Sequence, residues 1–321
     1  MIEAATLVEA NVHEHIARAM YYVSIHLLFA SIVASAAWAL TSILRASATT
    51  KYWIWVATAF NFVLPSGALI DKLWAPHFTW ARPLGAIGGP VWDMTQGRMA
   101  VIVAVIWMTG ALCMLSRLIS RTRRERREAQ ALAPLSDGGL TSSFLADGIP
   151  VSFGDRHPSP AVSGVLYPRI LLPIGMDRLL NPREFHAVLI HELAHARRRD
   201  NLIRLLYEAS LCALWFHPLM WLAGAGIGLY RELSCDESVI RLAHGQELVS
   251  ALAKLAVPKP AGVLQATASS HLSYRLERLA GPPQRTYRAA SLLLTSLFTA
   301  VMAAGIFQTI AHTACCFVIK H

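Results

Sequence analysis

The chain contains four long stretches that are apolar and carry no formal charge. They cover residues 21–44, 52–70, 99–115 and 289–310, with lengths of 24, 19, 17 and 22 residues. A helix that crosses the hydrocarbon core of a bilayer needs roughly 17–25 such residues. The pattern therefore predicts four transmembrane helices. The first run follows an acidic segment and is too long for the apolar part of a secretion signal, so we expect it to stay in the mature protein.

The segment between the third and fourth runs has a different pattern. Residues 129–145 are rich in Ala, Ser and Gly, which is typical of a linker. Three short β-prone runs follow at 149–153, 161–166 and 169–173. The Gly and Pro residues that separate these runs predict a small antiparallel sheet.

A helix with a clearly marked start comes next. Asn181 is a suitable N-cap, Pro182 suits the first helical position, and Glu184 completes a capping box. We expect this helix to continue to residue 200.

Composition and charge support a membrane protein. Hydrophobic residues make up 55% of the 321 residues, charged residues only 15%, and the net charge is +9. Soluble domains average about 25% charged residues. The composition therefore argues against an ordinary soluble enzyme, a disordered protein or a nucleic-acid binder, and no direct nucleic-acid binding is expected.

The arginine distribution predicts the orientation in the membrane. One cluster of six arginines lies in residues 117–127, directly after the third apolar run, and a cluster of four lies in residues 275–288, directly before the fourth. Positively charged loops stay on the cytoplasmic side, so the central segment should be cytosolic and both termini and the 71–98 loop outside. The clusters could also be a nucleic-acid patch, but juxtamembrane arginines more often contact anionic lipid.

These patterns divide the chain into four regions. A membrane region with three spans should cover residues 1–116, and a basic juxtamembrane segment with a linker should cover 117–145. A cytosolic domain should occupy 146–288, and a fourth span with a short tail should occupy 289–321.

The capped helix contains the candidate catalytic residues. It contains His191, Glu192 and His195 in the pattern HExxH. Histidines at i and i+4 share one helical face, so both can bind one tetrahedral zinc ion. The carboxylate of Glu192 lies beside that face, where it can take a proton from water as a general base.

A catalytic zinc usually needs a third protein ligand. Glu232 and Asp236 are also i and i+4, so one could bind zinc while the other accepts a hydrogen bond from a ligating histidine. By themselves the two are more typical of a polar helix end that faces water, but an HExxH in the same chain favours the metal site. Cys235 is an alternative ligand, because a thiolate binds zinc well.

Residues 209–230 have no formal charge and could form a fifth span. A crossing there would place the histidines and Glu232 on opposite sides of the membrane. Pro218 instead predicts a break between two helices, which then form a hairpin lying on the membrane or dipping into it. This arrangement allows both motifs to share one zinc ion.

Several motifs together resemble the BlaR/MecR family of membrane zinc metallopeptidases. They are GVLYPRILLP, HELAHARRRD, WFHP, RELSCDESV and SYRLERL, all within residues 158–279. The resemblance implies a mainly α-helical membrane protein with four transmembrane helices and a cytosolic α+β gluzincin-type zinc metallopeptidase domain.

The resemblance also implies roles for individual residues. His191, His195 and Glu232 would bind one Zn²⁺ per chain, Glu192 would be the catalytic base, and Asp236 would support a ligating histidine. The polypeptide substrate would be a cytosolic transcriptional repressor, the chain itself, or both. Only residues 311–321 follow the last apolar run, where antibiotic receptors of this family carry a penicillin-binding domain, so we do not expect a β-lactam sensor.

The sequence thus predicts a regulatory, multi-pass zinc metalloendopeptidase of the cell membrane. His217 and Arg231 are candidate stabilisers of the oxyanion, although turn-forming and lipid-facing roles suit them as well. A membrane quality-control protease is one alternative, and the WFHP and CDE elements argue against it. A signalling scaffold with a structural zinc is another, and Glu192 argues against that, because a structural zinc needs no base.

Overall fold

The computed structural model of the chain describes residues 23–24, 26–64, 98–130, 148–154, 159–242, 244–255, 273–279, 288–296 and 298–300. Most of these residues are helical. Predictions about the 71–98 loop, the linker and the C-terminal tail lie outside the described residues.

The helices before the sheet are α1 (His26–Ile43), α2 (Ala48–Asn61) and α3 (Arg98–Gln130). The helices after it are α4 (Met176–Leu179), α5 (Pro182–Arg198), α6 (Asp200–Ala213), α7 (Pro218–Arg241), α8 (Gly245–Leu255), α9 (273–279) and α10 (Arg288–Ala300).

The small sheet consists of β1 (Val151–Gly154), β2 (Ala161–Ser163) and β3 (Arg169–Pro173) in the order β1-β3-β2. The three predicted strands are confirmed, but the sheet is mixed and not antiparallel. β2 pairs antiparallel with β3, whereas β1 pairs parallel with β3. Strand β3 lies in the middle of the sheet, and β1 and β2 are its two edges.

The predicted start of α5 is confirmed. The Asn181 side chain accepts hydrogen bonds from the backbone of Arg183 and Glu184, and the Glu184 carboxylate accepts one from the backbone N–H of Asn181 at 2.8 Å. Beyond this capping box, α5 packs its apolar face against the sheet and against α7 and α8. The resulting core includes Val151, Ile170, Leu172, Phe185, Val188, Val239 and Leu248.

The helical hairpin predicted around Pro218 is confirmed as α6 and α7, with the break between Ala213 and Pro218. The expected single helix up to residue 200 is interrupted at Arg199, which adopts a left-handed conformation (φ 55°, ψ 45°). That residue ends α5 and turns the chain into α6. Helix α6 is therefore a separate element, and the direction of the chain changes just after the HExxH motif.

Helix α2 packs directly on α7. A Cβ on Gly226 of α7 would lie only 2.5 Å from the Trp55 ring, so the glycine allows this close approach. Trp55, Tyr52 and Val56 form a buried apolar cluster with Ala223 and Ile227 of α7. The residues around the hairpin thus form one packed unit with α2.

Two helices in the described part of the chain are long and apolar enough to cross a membrane, namely His26–Ile43 and Ile102–Arg127. Helix α3 exposes many apolar side chains, Val103, Ile106 and Leu112 among them, as a lipid-facing helix would. It also continues without a break past residue 117, into the basic segment.

The other two predicted spans look different. The helix at the second run begins at Ala48 and ends at Asn61, and its 14 residues are shorter than a span requires. Residues 65–70 of that run lie outside the described part. The fourth run contributes the shorter apolar helix Arg288–Ala300. Four spans therefore remain a prediction.

Candidate metal centre

The two histidines of the HExxH motif face one point. His191 Nε2 lies 3.2 Å from His195 Nε2. Glu232, on α7, places its Oε2 atom 3.6 Å from His191 Nε2 and 3.8 Å from His195 Nε2. The α6–α7 hairpin brings Glu232 back to α5, so the three side chains meet although 37 residues separate His195 from Glu232 in the sequence.

This triangle of donor atoms fits a tetrahedral metal ion. Ligands bound at 2.0–2.1 Å to tetrahedral zinc lie about 3.3 Å from one another. The observed separations of 3.2, 3.6 and 3.8 Å are close to that value. Two imidazoles and one carboxylate are also a donor set that zinc binds in hydrolytic enzymes.

His195 is oriented by Asp200, a residue that sequence reasoning missed. Its Nδ1 lies 2.6 Å from Asp200 Oδ2, which leaves Nε2 to face the metal position. On a continuous helix a residue five positions after His195 would point about 140° away from it. The left-handed Arg199 removes that obstacle, because it starts a new helix with Asp200 turned toward the histidine. No single-residue pattern in the sequence indicated that turn.

His191 is supported by Asp236 and Arg275. Its Nδ1 lies 3.1 Å from Asp236 Oδ1, in the arrangement expected from the i, i+4 spacing of Glu232 and Asp236. Arg275 on α9 binds Asp236 with two hydrogen bonds of 2.8 and 2.9 Å, and its Nη1 lies 3.2 Å from Glu232 Oε2. Sequence reasoning treated Arg275 only as a topology anchor, although the SYRLERL motif that contains it was the available signal.

The electrostatics of the centre favour charged carboxylates. Burial opposes ionisation of Glu232, but its interactions with His191, His195 and Arg231 hold the pKa of Glu232 well below its usual value. Burial likewise opposes ionisation of Asp236, yet His191 and Arg275 lower its pKa. Burial lowers and the carboxylates of Asp236 and Glu232 raise the pKa of His191, with a net rise to about 9. The Glu232 and Asp236 carboxylates are therefore ionised, the state in which a carboxylate binds a metal ion or supports a ligating histidine.

Cys235 lies on the other side of His195. Its thiol is fully buried, and its Sγ accepts a hydrogen bond of 3.2 Å from Arg198 Nη2. His195, Asp200 and Cys235 also have donor atoms within 4.8 Å of one another. The Arg198 guanidinium, however, donates hydrogen bonds to both Asp200 and Cys235, and His195 directs its Nδ1, not its Nε2, to this side. Burial is the main cause of the raised pKa of the Cys235 thiol, which disfavours the thiolate that metal binding needs.

A cavity of about 370 Å³ opens onto the three donor atoms. Glu192 lines it and is 8% exposed, so its carboxylate can reach a molecule in the cavity. Edge strand β2 forms one wall through Ala161 and Val162. A larger cavity of about 670 Å³ shares Ala161, Val162, Asn201 and Arg204 with it and continues along β2 toward α3.

The two candidate oxyanion stabilisers lie in different places. Arg231 lines the cavity and donates hydrogen bonds of 2.9 and 3.1 Å to Glu232 Oε1. His217 is instead at the opposite end of α7, with its Nε2 3.3 Å from Ser31 Oγ and its ring against Phe62. The straight helix between His217 and Glu232 spans about 22 Å. An oxyanion role for His217 is therefore wrong, because the side chain cannot reach the cavity.

The chain is similar to known peptidases and regulatory proteins. A family model described as BlaR1 peptidase M56 matches residues 22–279. The methicillin resistance mecR1 protein of Staphylococcus aureus strain Mu50 is 22% identical over 160 residues, which are 46% of this chain and 26% of that protein. The regulatory protein BlaR1 of Bacillus licheniformis is 35% identical over 144 residues, or 42% of this chain and 24% of that protein.

These aligned regions cover about a quarter of the length of each relative. Among solved structures, Ste24p of S. mikatae is similar over 79% of this chain and 98% of its own, with 14% identity and a TM-score of 0.33. That score is too low to support a shared fold.

Proposed function

The chain belongs to the BlaR1 peptidase M56 family, and on that premise we propose that it is an integral-membrane zinc metalloendopeptidase of the gluzincin type. The observation that carries the proposal is the triangle formed by His191 Nε2, His195 Nε2 and Glu232 Oε2, with sides of 3.2, 3.6 and 3.8 Å. These three side chains would hold the ion. Asp200 and Asp236 would fix the two imidazole rings from behind.

Glu192 is the general base of the proposed mechanism. When bound, zinc supplies a Lewis acid that polarises the scissile carbonyl and acidifies water. Glu192 takes a proton from the attacking water and delivers it to the leaving amine. Arg231 is the remaining candidate for stabilising negative charge on the carbonyl oxygen, because its guanidinium lines the same cavity.

The substrate is an extended segment of polypeptide. Main-chain hydrogen bonds to an edge strand fix a scissile bond without requiring particular side chains. β2 is such an edge, and it lies between the metal centre and the larger cavity. The carbonyl of Val162 accepts a hydrogen bond of 2.8 Å from Asn201 Nδ2, so an incoming strand that pairs at this position must displace the Asn201 side chain.

We further propose that the metal centre is cytosolic, with four membrane spans and both termini outside. The basic residues of α3 support this orientation, since Arg123, Arg124 and Arg127 are exposed just beyond its apolar part. A regulatory role is supported by the relative from Bacillus licheniformis, which is named regulatory protein BlaR1, and a cytosolic centre would act on a cytosolic substrate. It would be a cytosolic protein such as a transcriptional repressor, the chain itself, or both.

The experiment that tests this function compares cells that carry the wild-type chain with cells that carry Glu192→Gln. Proteins of the cytosolic and membrane fractions would be analysed for new N-termini by mass spectrometry. A regulatory protease predicts few cleaved cytosolic proteins, present only with the wild type. Many cleaved membrane proteins would instead indicate quality control, and identical proteomes would argue for a scaffold.

A further inference from the structure

Tyr52 is a fully buried tyrosine on α2, within the second predicted span. Its ring packs in the apolar cluster with Trp55, Ala223 and Ile227. Its hydroxyl leaves that cluster and donates a hydrogen bond of 2.9 Å to Asp200 Oδ1. A residue of the predicted membrane region therefore contacts the side chain that orients a proposed zinc ligand.

Asp200 is held from two sides. Arg198 binds both of its oxygens, with Nε 2.7 Å from Oδ1 and Nη2 2.6 Å from Oδ2. Tyr52 adds a second partner for Oδ1, and His195 Nδ1 adds a second partner for Oδ2. The carboxylate is 4% exposed, so water contributes little to its position. Tyr52 and Arg198 together determine where this carboxylate lies.

The position of Asp200 matters for the orientation of His195. A hydrogen bond from Nδ1–H to a carboxylate fixes the imidazole ring and leaves the lone pair of Nε2 for a metal. The ring of Tyr52 also stacks under Arg198, whose guanidinium carbon lies 4.3 Å from the ring centroid. Tyr52 thus contacts both groups that set the position of the carboxylate.

We propose that Tyr52 is a positioning residue of the metal centre, acting on His195 through Asp200, and that α2 is therefore part of the zinc site. This inference rests on the proposed function, because it requires zinc at His191, His195 and Glu232. A displacement of α2 would change the position of His195 through two hydrogen bonds, one between Tyr52 and Asp200 and one between Asp200 and His195. The metal affinity of the centre thereby depends on a helix that belongs to the membrane region.

The change Tyr52→Phe isolates the hydroxyl, since it keeps the ring in the cluster and over Arg198. Removing the partner of a ligating histidine typically weakens metal binding by about 10–100-fold. Asp200→Asn should fall in that range. Tyr52 is one hydrogen bond further from His195 than Asp200 is, and Arg198 still holds the carboxylate in Tyr52→Phe. We therefore expect zinc affinity to fall roughly three- to tenfold.

Tyr207→Phe is the matched control. Tyr207 lies in the same apolar cluster, and its hydroxyl donates a hydrogen bond of 3.0 Å to the carbonyl of Met220, away from the metal centre. Both phenylalanine variants lose one hydrogen bond of a tyrosine in this cluster. A purely structural role for Tyr52 predicts similar behaviour of the two in every assay.

The experiment uses the full chain in lipid nanodiscs, stripped of metal and titrated with zinc against a chromophoric chelator. The thermal midpoint of the metal-free protein and the visible spectrum with Co²⁺ are measured in parallel. We expect weaker zinc binding and an altered Co²⁺ spectrum for Tyr52→Phe but not for Tyr207→Phe. We also expect Tyr52→Phe to have little further effect on zinc binding when Asp200 is already Asn.

Equal zinc affinity of Tyr52→Phe and Tyr207→Phe would overturn the inference, as would additive losses in the double variant. If Tyr52→Phe does not fold, Asp200→Glu is a second variant that keeps the negative charge and displaces the carboxylate. An unchanged zinc affinity and Co²⁺ spectrum for Asp200→Glu would also overturn it. If the wild type binds no zinc, or if His195→Ala binds it equally well, the proposed function itself fails.

Discussion

Arg275 and Asp236 form a bidentate pair, with guanidinium Nη2 and Nε 2.8 and 2.9 Å from the two carboxylate oxygens. Asp236 is almost completely buried and lies against His191. The pair therefore connects α9, which precedes the last apolar helix, to a proposed zinc ligand. Burial opposes the charge on Arg275, but the pair with Asp236 raises the pKa of Arg275, so the guanidinium stays charged.

Arg275→Lys should weaken zinc binding and peptide hydrolysis by about 10–100-fold, because lysine cannot form the paired contact that holds Asp236. Arg278→Lys is the control. Arg278 is one turn away on the same helix and binds Glu237 at 2.8 Å, outside the metal centre. Zinc affinity and cleavage rate should be measured for both variants, and equal losses would contradict a specific role for Arg275.

The third zinc ligand can be identified directly. Glu232→Ala should lose both zinc and activity, whereas Cys235→Ser should keep most of both. Glu232 Oε2 faces the two Nε2 atoms, while the Cys235 thiol is bound by Arg198. X-ray absorption at the zinc edge should show only nitrogen and oxygen neighbours. A zinc–sulfur distance of about 2.3 Å would assign Cys235 in place of Glu232.

The Glu184 carboxylate at the start of α5 should make the free energy of unfolding depend on pH. Hydrogen bonds from Lys254, Ser250 and the Asn181 backbone lower the pKa of Glu184 from its ordinary 4.5 to about 2. Because the pKa of Glu184 is lower in the folded state, its contribution to the free energy of unfolding is complete above pH 4.5. That contribution is lost as the pH falls to about 2. Thermal unfolding should show Glu184→Gln less stable than the wild type at neutral pH.

The difference between Glu184→Gln and the wild type should then shrink between pH 4.5 and about 2. Glu277→Gln, which removes an exposed carboxylate on α9, is the control. A constant difference between Glu184→Gln and the wild type over that whole range would contradict this assignment.

The orientation in the membrane is tested by labelling. Single cysteines replacing Gly85 in the 71–98 loop or Ser136 in the linker would be placed in a cysteine-free background. A membrane-impermeant thiol reagent applied to intact cells should label only the cysteine at position 85, because the arginine clusters retain the linker in the cytosol. The reverse pattern would invert the topology.

Local signals in the sequence were sufficient for the elements that carry the metal site. The cap at Asn181, the strand runs and the break before Pro218 were all predictable, because each depends on neighbouring residues. The parallel pairing of β1 with β3 was not predictable, since strand order depends on packing between distant segments.

The contacts of Asp200, Tyr52 and Arg275 were not predicted, for two different reasons. Asp200 faces His195 only because Arg199 adopts a left-handed conformation, which is rare for a residue other than glycine. Tyr52 and Arg275 reach the centre from segments 148 and 39 residues away from their partners Asp200 and Asp236. Residue type and local spacing do not indicate those contacts, and for Arg275 the SYRLERL motif was the available signal.

The most direct test of the proposed zinc peptidase is the variant Glu192→Gln, measured for both zinc content and cleavage. The change removes the base and none of the proposed ligands, so the purified variant should retain about one zinc per chain. Its cleavage of a substrate, or of the chain itself, should fall by about a hundredfold or more, because general-base catalysis typically contributes 10²–10⁴-fold. Retained cleavage by a zinc-loaded Glu192→Gln protein would contradict the assignment of Glu192 as the base.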